Sequence, residues 1–473
     1  MYPDSSVLML EFNELCPTLM EGWIEDGRLP NFRRLHAESL VYQTQTEEQP
    51  QALEPWIQWV NVHSGLTFAE HGVFHLGEGG RLAAPRIWDV AARHGGRSWI
   101  CGSMNTRAED PSSTLLMPDP WAKDVDPSAP ELIDYFRFVR GHVTEHTNDE
   151  APLRPVDYAR VARFMLGHGL SVATIAAAVR QLLSERGGRH RWKRAVVFER
   201  LQFDLFRWYY RRLRPQFATF FLNSTAHFQH MFWRHMEPDV FEHRPDAAEL
   251  EEYGDAVAFG YRAMDQLVGR FLELITPGTT VIFCTALSQQ PCLKYEAHGG
   301  KAFYRPRRFD AFLRVLHLED AAVSPVMSEQ FYLQFPTEAR ARVAAERLAA
   351  LRVGQRPAMV VERRQTSVFT GCSLFEPLAR DAELVSDDGE RRTRFFDVFY
   401  RVEGVKSGMH HRAGMLWIRT PEHRHEIHPT PVALESIAPT VLAVLGIPAP
   451  PSMSRPPLSA VAPPVATGQE VVA

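Results

Sequence analysis

Hydrogen-bonding and titratable side chains stand just beyond several short apolar runs of this sequence. Glu11, Asn13 and Glu14 follow Val7–Leu10, and Asn223, Ser224, Thr225, His227 and His230 follow Phe217–Leu222. Ser288, Gln289 and Gln290 lie beyond Thr280–Cys284. Glu54, Gln58, Asn61 and His63 share one segment with Trp56 and Trp59, and His410 and His411 stand side by side. Imidazoles titrate near neutral pH, so His227 and His230 are candidate general bases. Glu54 or Glu11 can serve as the partner acid or base, or as a carboxylate nucleophile. Asn13, Gln58 and Asn61 can donate hydrogen bonds to a phosphate, a sulfate or a sugar hydroxyl. Each has a plainer reading: Glu54 before Pro55 as a helix-start carboxylate, Glu11 as the partner of an Arg, Gln58 and Asn61 as caps, the tryptophans as core.

The elements that must hold these groups read as α/β. Val7–Phe12, Arg97–Cys101, Phe217–Leu222, Thr280–Cys284 and Met415–Ile418 have strand length and apolar content. Helical spacing covers about Thr18 to Asp26, Phe32–Leu40, Ile87–His94, Leu250–Ile275 and Val432–Leu445. Alternation of the two predicts a mostly parallel sheet flanked by helices, whose cleft lies beyond the carboxyl ends of the strands. Val156–Leu166, Val172–Glu185 and Val196–Arg212 form a helical stretch dense in basic residues, at Arg186, Arg189, Arg191, Lys193 and Arg194. Gln330–Gln334, Glu338–Leu351 and Ala358–Glu362 read as a small βαβ unit.

Composition narrows the function. The 473 residues are 45% hydrophobic and 23% charged with a formal charge of −5, which offers no global positive field for nucleic acid. No apolar run reaches 18 residues, so no transmembrane segment is expected. The start of the chain lacks the basic and apolar regions of a secretory signal, and the five scattered cysteines form no CxxC pair. A reduced, cytoplasmic protein is expected. Gly299-Gly300-Lys301 lacks the spacing of a phosphate loop, and His423, His425 and His428 read as surface loop.

Four ordered stretches resemble the alkaline phosphatase superfamily, in its type I phosphodiesterase/nucleotide pyrophosphatase branch. Val7–Pro17 with Gly27-Arg28-Leu29-Pro30-Asn31-Phe32 is similar to the opening strand, metal-ligand turn and helix link. Trp59–Gly72, with Ser64-Gly65 and His71-Gly72, resembles the nucleophile helix, and Phe220–Trp233 the middle metal loop. Gly408–Ile418, Ser436-Ile437-Ala438-Pro439-Thr440 and Leu445-Gly446-Ile447-Pro448 resemble the closing segment. The resemblance implies two divalent metals and a Ser or Thr nucleophile for phosphoryl or sulfuryl transfer. Carried over by position, the opening Asp matches Asn13 or, on a looser count, Glu11. The middle Asp matches Ala226, and the later Asp-His pair falls in Thr285-Ala286-Leu287-Ser288. No Ser, Thr or Cys occurs from Glu47 to His63, where the nucleophile belongs. One metal site is thus expected to be dismantled, while the other keeps His230 and His410, with His227 near, able to take one zinc or other divalent ion.

The expectation is an alkaline-phosphatase-like core over residues 1–134, 216–325 and 401–458. A helical insertion occupies 135–215, a βαβ insert or cap 326–400, and a disordered tail 459–473. The expected activity is a divergent phosphodiesterase- or phosphatase-like hydrolase or transferase with a metal-poor site, acting on a phosphorylated or glycan-type small molecule. Two alternatives stand beside it: a non-catalytic binding protein, and a conventional two-metal phosphodiesterase, which requires carboxylates near Ala226 and Ala286, where the nearest in sequence are Glu237, Asp239 and Glu296. The basic insertion offers a peripheral membrane contact.

Overall fold

A computed structural model describes residues 5–49, 52–122, 125–145, 154–185, 189–326, 329–386, 392–402 and 405–461. The expected tail, from 462 onward, lies outside the described residues, as does Arg186. The central sheet has eight strands: β1 (Ser6–Phe12), β2 (Leu40–Gln45), β3 (Ser98–Cys101), β4 (Thr114–Met117), β5 (Phe217–Leu222), β6 (Thr279–Cys284), β9 (Ala413–Arg419) and β10 (Glu426–Ala433). Two short strands between β6 and β9, β7 (Ser288–Pro291) and β8 (Gly408–His411), pair with each other outside that sheet. The order is β10-β2-β9-β6-β1-β5-β3-β4. Every pairing is parallel except those of β9, which runs antiparallel to β2 and β6. The α/β class with a mostly parallel sheet is therefore the observed one.

The period of two along a strand sorts β1 onto two faces. Leu8, Leu10 and Phe12 enter one core with Phe32, Tyr261, Met264 and Val268, and Val7 and Met9 enter the other with Trp59, Val62, Ile437 and Val441. Helices α1 (Pro17–Glu25) and α2 (Pro30–Ala37) follow β1, and α3 (Pro55–Ser64) covers its second face. The start of α2 is capped by another helix: the Asp265 carboxylate accepts from the Asn31 and Phe32 backbone N–H groups at 2.9 and 2.8 Å. Helices Ile133–Glu145 and Pro155–Gly167, with α4 (Val172–Ser184) and α5 (Arg194–Leu213), lie between β4 and β5 in the chain. After β5 come α6 (Ser224–Met236) and α7 (Ala256–Leu274), and α8 (Ile437–Val444) closes the described chain's helices.

Four readings change. The helix expected over Phe32–Leu40 stops at Ala37, and Leu40 opens β2, whose alternating burial suits a strand. The single helix expected over Leu250–Ile275 breaks at Gly254-Asp255 into Ala247–Tyr253 and α7; a Cβ on Gly254 would lie 2.6 Å from the Leu250 carbonyl oxygen. The helix expected over Val432–Leu445 begins only at Ile437, because Val432 and Ala433 end β10. Pro429 and Pro431 disguise that strand, and the sheet tolerates them because β10 is an edge strand whose register shifts between Tyr42 and Thr44. Finally, the βαβ unit is split. Ser367–Cys372 lies between Gln330–Gln334 and Met359–Arg364 and pairs antiparallel with both. No described helix is long and apolar enough to cross a membrane.

Candidate metal centre

The strand directions explain where the polar groups gather. β1, β5 and β6 end at the carboxyl edge of the sheet, and β9, running the other way, begins there. Residues after β1, after β5, after β6 and before β9 are thereby drawn to one place. These are Glu14, His230 on α6, Gln289 on β7 and His410 on β8.

Glu14, His230 and His410 present ligand-type atoms within 4.8 Å of one another, the one group of its kind among the described residues. Glu14 is buried; its Oε2 lies 3.1 Å from His230 Nε2 and its Oε1 3.5 Å from His410 Nε2. His230 Nδ1 is 2.9 Å from the Gly408 carbonyl oxygen, and His410 Nδ1 is 2.7 Å from that of Leu53. A carbonyl oxygen only accepts, so each Nδ1 carries the hydrogen. In the neutral imidazoles both Nε2 lone pairs then face the carboxylate. Three acceptors converge with no donor among them, an arrangement that a cation relieves, and imidazoles oriented by backbone carbonyls are the usual outer support of a metal site. The donor set, two nitrogens and a carboxylate, suits zinc.

The protonation states agree with that fit. Burial alone would raise the Glu14 carboxyl, but the neighbouring His410 and His230 imidazoles and a hydrogen bond from Gln289 bring it down to about 2. Burial pushes His410 down to about 3, with the Lys406 and His230 charges acting the same way against Glu14. At neutral pH the first is a carboxylate and the second a free base.

Glu14 is held rather than merely present. Its backbone is left-handed, φ +59°, which costs a non-glycine residue about 1 kcal/mol. The Thr285 carbonyl takes its N–H at 3.2 Å, and Gln229 Nε2 donates to its carbonyl at 2.8 Å. Tyr261 in turn donates to Gln229 Oε1 at 2.7 Å. Asn13 Nδ2 donates to Glu14 Oε1 at 3.2 Å and to Asn223 Oδ1 at 2.7 Å, while its Oδ1 accepts from Trp59 Nε1 at 2.8 Å. Gln289 Nε2 donates to Glu14 Oε2.

Gly408 allows β8 to come this close. A Cβ there would fall 2.5 Å from the Gln229 carbonyl oxygen and closer still to Gln289 Oε1. Gly408→Ala should therefore displace the carbonyl that orients His230 and destabilise the fold by about 1–3 kcal/mol. Urea denaturation with an unchanged m value checks the loss; an unaltered midpoint would mean that β8 is free to shift.

The remaining candidates divide. Glu54 ends the approach to α3, and its Oε2 lies 3.5 Å from His410 Nδ1. Burial raises its carboxyl to about 7, with Glu14 and Glu329 adding to the rise and the Lys406 and Lys301 charges opposing it. Glu11 lies within β1, fully buried, and its Oε1 is 2.8 Å from His63 Nε2 on α3. Gln58 donates to the Ala52 carbonyl at 2.9 Å, and Asn61 joins Glu435 at 3.1 Å to His71 at 2.8 Å. His227 is exposed on α6 and lies outside the group of three; Glu14 stands where a third imidazole was expected. The acidic residues nearest in sequence to Ala226 and Ala286 have other partners: Glu296 pairs with Arg234, Glu237 accepts from Trp233 Nε1 at 2.8 Å, and Asp239 pairs with Arg244 at 3.0 Å. Glu14 and Gln289 were visible as polar residues after strands, but no spacing singled them out.

No family model matches the chain, and neither does any curated protein. Among solved structures it is similar to phosphonoacetate hydrolase from Sinorhizobium meliloti 1021 in complex with phosphonoacetate, at 12% identity over 94% of this chain and 96% of that one, with a TM-score of 0.41. It is also similar to murine ectonucleotide pyrophosphatase/phosphodiesterase 5 in complex with AMP, at 10% identity over 94% and 96%, TM-score 0.38. The human ectonucleotide pyrophosphatase/phosphodiesterase 5 gives 9% identity over 94% and 96%, TM-score 0.39. Likeness at this level assigns no role to any residue.

Proposed function

We propose that this chain is a metal-dependent hydrolase of the phosphodiesterase or phosphatase type, using one divalent ion and acting on a phosphorylated small molecule. The observation that carries the reading is the convergence of the Glu14 carboxylate on two imidazoles whose Nδ1 hydrogens are given to backbone carbonyls. The phosphoryl class rests on the four ordered sequence stretches that resemble type I phosphodiesterases.

Glu14, His230 and His410 would hold the ion, which supplies positive charge to a phosphoryl oxygen when bound. Asn13 and Gln289 orient Glu14. Glu54, beside His410, accepts a proton from the attacking water. Water is the nucleophile in this reading because residues 47–63 contain no hydroxyl or thiol side chain. All five cysteines are free and buried, which supports a reducing, cytoplasmic setting.

Metal analysis of the purified protein after zinc loading and dialysis tests the reading. One equivalent should remain, and a chelator should remove hydrolysis of an aryl phosphodiester or monoester that added zinc restores. Two retained equivalents would favour a dinuclear enzyme. One equivalent without turnover across a phosphoester panel would favour a binding protein.

A further inference from the structure

Helix α4 is oriented against the usual rule for a surface helix, which turns its large apolar side chains inward. Its inner side is small or polar: Thr174 is buried, and Ala177, Ala178 and Gln181 are half-buried. Val172, Ile175, Val179, Leu182 and Leu183 are instead 42–82% exposed. At 3.6 residues per turn these five occupy one sector of about 100°. The feature is local. Of the twelve exposed large hydrophobic residues among those described, eight fall between Val156 and Leu183. A concentration of this kind marks an interaction surface.

The surrounding charge selects the partner. Residues 154–194 carry nine Lys and Arg against two Asp and Glu, in a chain whose formal charge is −5. Arg154, Arg160, Arg189 and Arg194 pair with Asp157, Glu185, Glu251 and Glu252, and the excess remains positive. Arg180, flanking the apolar sector, and Arg163 on the preceding helix are exposed and make no ion pair among the described residues. A second copy docking through a two-fold axis would set this cationic surface against itself. A nucleic acid would use the charge but leave the apolar sector in water. An anionic bilayer uses both.

We propose that α4 docks on the surface of an anionic lipid bilayer. The five apolar side chains enter the boundary between headgroups and acyl chains, and the arginines around them meet the negative headgroups. This surface is separate from the metal centre, and the inference does not depend on the activity proposed above.

Co-sedimentation of the full chain with phosphatidylcholine vesicles containing roughly 30% phosphatidylserine tests it. Partition should exceed that onto pure phosphatidylcholine by at least about 10-fold and fall as salt rises. A Val179→Ser, Leu182→Ser, Leu183→Ser triple variant should lose at least about 10-fold, with an unchanged circular dichroism spectrum because the three residues are exposed. If that variant fails to fold, Arg163→Glu with Arg180→Glu provides an independent reading and should remove most of the phosphatidylserine dependence. Equal binding to both vesicle types, undiminished binding of a folded variant, or a dimer that the serine substitutions dissolve would overturn the proposal.

Discussion

Glu14→Ala should leave a folded protein that binds zinc at least about 100-fold more weakly and hydrolyses its substrate on the order of 10³-fold more slowly. The carboxylate is the sole acidic member of the group of three, so its removal leaves two neutral imidazoles to hold a dication. Loss of the ligand removes the charge that offsets the ion as well as one bond. Isothermal titration with zinc measures the first effect, and steady-state kinetics at saturating zinc separates it from the second. His230→Ala should abolish turnover in the same manner, since its Nε2 is the imidazole atom nearest Glu14. Zinc affinity within a few-fold of wild type in Glu14→Ala would place the metal elsewhere.

An acid-stability measurement on metal-free protein reads the same groups without activity. Glu14 falls to about 2 from an ordinary 4.5, so the stability it contributes is full above 4.5 and lost as pH falls toward 2. His410 falls to about 3 from 6.5, so the unfolded chain takes up the proton first and stability again declines as pH drops below 6.5. Both slopes have one sign, and Glu14→Ala should flatten the lower part of the curve.

Glu54→Gln should lower kcat by roughly 10²–10⁴-fold and erase the ascending limb of the pH profile. A carboxyl raised to about 7 is protonated below that pH and can accept a proton only above it, so activity should rise through neutrality and then level off. The amide keeps the shape and the helix-start position while removing the titration. Folding gives a second readout with opposite slope to Glu14. Because the folded state holds this proton between 4.5 and about 7, stability should decline as pH rises through that window, and the variant should lack the decline. A wild-type limb persisting in Glu54→Gln would assign the base to another group.

Much of the frame was legible along the chain. Buried parallel strands are continuous apolar runs, and β1, β5 and β6 stand out as such whatever surrounds them. β2 and β10 were not legible, because both lie toward the outer edge of the sheet, where polar residues and proline are tolerated. The break at Gly254 was hidden inside a stripe of apolar residues that continues across it.

The amino-acid sequence by itself determined that polar groups would crowd the carboxyl edge of an α/β sheet, because the apolar run of β1 leads into Glu11, Asn13 and Glu14, that of β5 into Asn223, Ser224 and Thr225, and that of β6 into Ser288, Gln289 and Gln290. Which of those groups meet was decided only by tertiary structure. Glu11 and Glu14 are three residues apart, yet the alternation of β1 turns Glu11 inward to His63, while the left-handed backbone past the strand end turns Glu14 toward the histidines. His227 and His230 are also three apart, and the packing of α6 leaves the first in solvent and brings the second against β8. His410 joins them because β9 is antiparallel, so that its start, not its end, lies at the site. Side-chain direction and strand order are properties of the assembled sheet, and no local spacing encodes them.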